Sequence, residues 1–165
     1  MVWRTIGCPG GRTRREMANP ARETTIRLRF NSAFEMLDMV QVVSDQVGRL
    51  LHFDDDAMTW MEVAVRESVI NAIKHGNRHD GRKHVTVEFT TQPDADPDEL
   101  VIAVRDQGEG FDPDTLPDPL APENLLKSSG RGIFFMRSFM DDVSLSRVPG
   151  GGMEVRMVKK LPAEP

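Results

Sequence analysis

Apolar and polar residues first alternate in Thr24-Thr25-Ile26-Arg27-Leu28-Arg29-Phe30, which has the two-residue period of a half-buried strand. Asn31 or Ser32 is placed to cap a following helix, with Glu35 positioned to close a capping box from Ser32. Phe34, Leu37, Met39, Val40, Val43, Val47 and Leu50 or Leu51 then recur at three- and four-residue steps. That spacing predicts an amphipathic helix ending near His52. Asp54-Asp55-Asp56 supplies an N-cap and an acidic first turn for a second helix, from about Ala57 to His75. Met61, Val65, Ile70 and Ile73 are its candidate core positions, and Gly76 is expected to end it in the left-handed conformation.

The period returns to two from Lys83 to Thr91, with Val85, Val87 and Phe89 on one face. Glu99 to Arg105 pairs back as a second strand across the Pro/Asp-rich turn 92–98. The acidic, proline-rich stretch 112–129 has little periodicity, and a loop that long in a compact domain is commonly a lid or a binding loop. A helix is expected from about Gly132 to Met140. Strands Val143–Val148 and Met153–Lys160 follow, joined through Pro149-Gly150-Gly151-Gly152. The order β-α-α-β-β-lid-α-β-β predicts an α+β fold, a two-layer sandwich of a mostly antiparallel sheet with helices on one face.

A chain of 165 residues fits one such domain. The divisions expected are a basic, disordered leader over 1–22, the domain over 23–160 and a tail over 161–165. Charge separates the leader from the rest. Its five arginines against Glu16 give a local balance of +4, so the remainder carries −9 of the net −5. An acidic folded part argues against direct nucleic-acid binding. No apolar run is long enough to span a membrane. The single cysteine, Cys8, excludes an internal disulfide and fits a reducing, cytoplasmic setting.

Three segments carry the candidate chemistry. On the second helix Glu67 and Asn71 lie four residues apart and share a face. An isolated pair of this kind is usually a solvated helix face. Its functional reading gives Asn71 an amide oxygen suited to Mg²⁺ and Glu67 a carboxylate able to take a proton from an attacking hydroxyl. Lys74 and His75, one turn on, either face phosphate or offset the helix dipole. Asp106, at the tip of the strand before Gly108 and Gly110, is either a turn residue or an acceptor for the exocyclic amine of adenine. Gly130-Arg131-Gly132 is either a hinge or a helix N-terminus open to an anion, with Lys127 and Arg131 as the nearby positive charges. Neither a Walker A motif nor a Rossmann fingerprint is present, so any ATP site has another architecture.

In combination, Glu67-x-x-x-Asn71-Ala72-x-x-His75-Gly76, Asp106-x-Gly108-x-Gly110-Phe111-Asp112 and Ser129-Gly130-x-Gly132-Ile133-x-x-Met136, continuing to Met140-Asp141, resemble three known motifs. These are the N box and the two glycine boxes of the GHKL ATPase superfamily, in its branch of bacterial anti-sigma-factor serine/threonine kinases. The resemblance covers roughly residues 23–160. It implies ATP and Mg²⁺ as cofactors, Asn71 on the metal, Glu67 as the base, Asp106 on adenine, the second glycine box near the phosphates, and 112–129 as an ATP lid. It further implies a homodimer that phosphorylates a small antagonist protein or binds a sigma factor. An ATP-binding anti-sigma switch with little turnover is the alternative. A sensor histidine kinase would need a phosphoacceptor hairpin before the catalytic domain, and only a short leader and one helix precede the N box.

Two departures stand out. Gly152-Met153 occupies the place where many relatives have Gly-Thr, which puts a polar contact near adenine in doubt. Ser128 occupies the place where some relatives have Arg, which shifts the basic phosphate contact to Lys127 or Arg131.

Overall fold

The computed structural model describes residues 24–91, 99–111 and 131–162. The expectations for the leader, the turn 92–98, the loop 112–129, Lys127 and Gly130 lie outside these residues. The described elements run β1 (Thr24–Asn31), α1 (Leu37–Leu50), α2 (Asp55–Asn71), β2 (His84–Thr91), β3 (Glu99–Arg105), α3 (Arg131–Phe139), β4 (Asp142–Arg147) and β5 (Met153–Lys160). The strands form one sheet in the order β1-β2-β3-β5-β4, and every neighbouring pair is antiparallel. The fold is the predicted α+β sandwich.

Alternation along the strands builds the core. Val85, Val87 and Phe89 of β2, Leu100, Ile102 and Val104 of β3, and Met157 of β5 are buried against the helices. The opposite face carries charge across the strands, where Arg27 pairs with Glu88, and Arg105 pairs with both Glu88 and Glu154. From the helices, α2 contributes Met58, Met61, Ala64, Val65 and Val69, and α3 contributes Met136. Val69 takes the buried position expected of Ile70, which is only half-buried.

The first helix corrects the sequence reading. No capping box forms. A 3-10 turn over Phe34–Met36 precedes α1, its N-cap position is held by Ala33, and no side chain caps it. The Ser32 amide instead donates to Lys83 O at 2.9 Å, drawing the strand end toward β2, and its hydroxyl is buried without a partner among the described residues. Met39 and Leu50 are exposed, and the buried stripe runs through Leu37, Val40, Ser44, Val47 and Gly48. Gly48 sits where α1 meets α2, since a Cβ there would lie 2.9 Å from Met58 Cγ. The second cap is as expected, with Asp54 accepting from the Ala57 amide at 2.7 Å.

The end of α2 differs from expectation in a way that shapes the site. After Asn71 the helix widens into a π turn over Ala72–Gly76, closed by the Asn77 amide on Ala72 O at 2.7 Å. Such insertions occur often at functional sites. Gly76 does not end the helix in the left-handed region. Arg78 (φ 54°) and His79 (φ 60°) make that turn instead.

Candidate functional site

A cavity of about 380 Å³ opens between α2, α3 and the inner face of the sheet, within the range of small-molecule pockets. Its walls are largely apolar. Ala72, Val104, Ile133, Met136, Leu145, Met153 and Val155 all line it, a chemistry suited to a flat heterocycle. The polar groups stand at its two ends.

At one end stands Asp106, immediately beyond β3 and 8% exposed. Three glycines allow the backbone to close around it. A Cβ at Gly76 would lie 2.3 Å from Asp106 Cγ, one at Gly108 2.2 Å from Gly76 O, and one at Gly152 2.1 Å from Asp106 O. Gly76 is thus required by close approach rather than by helix termination. Asp106 Oδ1 accepts from the Gly108 amide at 2.7 Å and the Met153 amide at 3.3 Å. Oδ2 receives no hydrogen bond from the described residues, although the carboxyl lines the cavity. Burial pushes the Asp106 carboxyl above its ordinary value, while the two amides and the Lys83 charge pull the other way without cancelling it.

Asn77, which the sequence reading missed, fixes this end. It is fully buried, donates from Nδ2 to His84 O at 3.0 Å, and accepts the Gln107 amide on Oδ1 at 2.8 Å. One side chain thereby ties the start of β2 to the Asp106 turn. Arg78 was also missed. It lines the cavity and pairs with Glu109 at 2.9 Å, both side chains lying largely in solvent.

At the other end α3 begins against the face of α2 that bears Glu67 and Asn71. A Cβ on Gly132 would lie 2.9 Å from Glu67 Oε2 and 3.0 Å from Asn71 Nδ2. Gly132 of the second glycine segment is therefore packed on the Glu67/Asn71 pair. Glu67 and Asn71 are half-buried, line the cavity, and have no side-chain hydrogen-bond partner among the described residues. His75 and Gly110 also line it, whereas Lys74 is exposed and lies outside its wall. Arg131 opens α3. The Gly-Thr departure has a structural answer here, because Met153 supports Asp106 through its backbone and walls the cavity with its side chain.

The family model for the histidine kinase-like ATPase domain matches residues 18–159. The chain belongs to this family. Among its relatives, an anti-sigma F factor from Bacillus licheniformis is 34% identical over 111 residues, 64% of this chain and 71% of the relative. A serine-protein kinase RsbW from Staphylococcus aureus is 26% identical over 153 residues, 87% of this chain and 91% of the relative. These likenesses place the chain in the anti-sigma-factor branch of the family. A solved structure of RsbU and RsbW domains from Mycobacterium tuberculosis superposes with a TM-score of 0.60 at 14% identity, covering 86% of this chain and 34% of that one. At that identity the likeness concerns the fold alone.

Proposed function

We propose that this histidine kinase-like ATPase domain binds ATP with Mg²⁺ and phosphorylates a serine or threonine on a small antagonist protein. The observation that carries the proposal is the polarity of the cavity. A buried carboxylate with one oxygen that takes no hydrogen bond from the described residues stands at one end of an apolar slot, and the Glu67, Asn71 and Gly132 cluster stands at the other. Adenine fits the slot with its exocyclic amine toward Asp106 Oδ2, which directs the phosphates toward Asn71 and the start of α3.

The residues present suit the metal. Among the described residues no group of three His, Cys, Asp or Glu side chains converges, so a divalent ion here would take most of its oxygens from phosphate and water. Mg²⁺ is ordinarily bound this way, and the Asn71 amide oxygen is a hard donor of the type it takes. When bound, Mg²⁺ neutralises charge on the triphosphate. Asn71 holds and orients that end of the nucleotide. Glu67, one helical turn earlier, accepts the proton of the acceptor hydroxyl. The apolar walls and Asp106 fix the base, so that most of the rate gain comes from positioning.

The relatives are named as an anti-sigma factor and as serine-protein kinases. The proposed partner is a small antagonist protein as phosphoacceptor, in a switch that also engages a sigma factor, and the proposed kinase acts as a homodimer. Incubation of the chain with labelled ATP, Mg²⁺ and its antagonist tests the reading. Transfer of label that is lost in Glu67→Gln supports it, and stable ATP binding without transfer in the wild type refutes the kinase assignment.

A further inference from the structure

The described helices carry several hydroxyls, and most behave alike whether buried, as Ser44 is, or exposed, as Thr59 and Ser138 are. Ser44, Thr59 and Ser138 each donate to the carbonyl four residues earlier, at 2.9, 2.8 and 2.9 Å. Back-bonding of this kind is the ordinary fate of a mid-helix hydroxyl. Ser68 departs from it. Its side chain is 1% exposed, and its Oγ has no partner among the described residues. Ser32 shares that condition, but it lies at the β1–α1 turn and outside the cavity wall. Ser68 lines the cavity.

Among the described side chains that line the cavity, only Ser68 and Asp106 are both polar and buried. Their chemistries are complementary. An ionised carboxylate only accepts, whereas a hydroxyl can donate. We propose that Ser68 is a specificity-determining residue for the base, its Oγ–H donating to ring N1 of adenine directly or across one buried water. The inference rests on the ATP reading above. Adenine presents an amine donor beside the N1 acceptor on one edge, so Asp106 and Ser68 together match donor and acceptor along it. A buried donor left unpaired is unfavourable, and N1 removes that penalty only in the complex.

The test is a cycle between residue and ligand. Wild type and Ser68→Ala are each titrated with ATP, with 1-deaza-ATP, which lacks the N1 acceptor, and with 7-deaza-ATP, which lacks the N7 acceptor on the other side of the amine. Wild type is expected to bind 1-deaza-ATP about three- to tenfold more weakly than ATP, the range of one net hydrogen bond. Ser68→Ala is expected to lose a similar factor toward ATP and to distinguish ATP from 1-deaza-ATP no longer. Its ratio of ATP to 7-deaza-ATP affinity should match wild type. The melting temperature of unliganded Ser68→Ala should be no lower than wild type, because no protein hydrogen bond is removed. An unchanged preference for ATP over 1-deaza-ATP in the variant overturns the inference, as does an equal loss toward all three nucleotides. Both outcomes leave ATP binding itself intact. Failure of the wild type to bind any adenine nucleotide overturns the ATP reading and this inference together.

Discussion

Asp106→Asn separates ligand recognition from folding. The asparagine Oδ1 can keep the Gly108 and Met153 amides now received by Asp106 Oδ1. Its Nδ2 then replaces the oxygen that takes no bond from the described protein, and a donor faces the adenine amine. A hydrogen bond to a charged group contributes about 1.5–3 kcal/mol, so ATP affinity should fall by roughly 10- to 150-fold. The unliganded protein should respond in the opposite sense. The folded-state pKa of Asp106 is raised by burial. Its contribution to stability is therefore full below the ordinary carboxylate pKa and is lost as pH rises through the raised value. At neutral pH the charged carboxylate opposes folding, and Asn removes that cost. Unliganded Asp106→Asn should melt no lower than wild type at neutral pH, with any advantage shrinking in acid. Wild-type ATP affinity should itself weaken as pH falls through the raised value, because the protonated carboxyl no longer presents two acceptors. Calorimetric titration with ATP and thermal melts across pH measure both arms. Wild-type affinity in Asp106→Asn, or a melt several degrees lower at neutral pH, would refute the reasoning.

Three further substitutions probe the base, the Asp106 cradle and the α2 cap. Glu67→Gln keeps the size and position of the side chain, so ATP binding should stay within about threefold of wild type. Transfer should fall by about 10²–10⁴, the usual contribution of a positioned base, read by label on the acceptor. Gly76→Ala places a Cβ 2.3 Å from Asp106 Cγ and must displace the π turn or the carboxylate. Overpacking of this kind costs about 1–3 kcal/mol, so the melt should drop by several degrees and ATP affinity should fall with it. Asp54→Ala removes the cap on the Ala57 amide and should cost about 0.5–2 kcal/mol in a denaturant melt, with ATP affinity per folded molecule unchanged.

Much of the fold was legible because its signals are local. Strands β3 and β5 run over the expected residues, since a continuous apolar run defines the first, partial alternation the second, and turn residues bound both. The Asp54 cap was readable for the same reason. The start of α1 was not, because Ser32 is committed to a backbone bond with Lys83, far along the chain. Propensity carries no information about such a partner. The candidate site divides in the same way. Glu67, Asn71, Asp106 and Gly132 were found from type and spacing, and the fold brings them to the ends of one cavity. The π turn, the left-handed Arg78 and His79, and the bridging role of Asn77 were hidden, because each exists only once β2 and the Asp106 turn are packed together. Ser68 gave no sequence signal at all, since one serine in a helix is commonplace until its hydroxyl is seen without its usual carbonyl.

Phosphoryl transfer from ATP to a hydroxyl on a small protein is open to a direct test. The most direct measurement captures partners on the wild-type chain and on Glu67→Gln in the presence of ATP and Mg²⁺, then takes the intact mass of the small partner released from each. A partner bearing one added phosphoryl group on serine or threonine is expected from wild type, and the same partner unmodified from Glu67→Gln. An unmodified partner from both, with ATP bound to both, would contradict it and leave a nucleotide-gated binding module in its place.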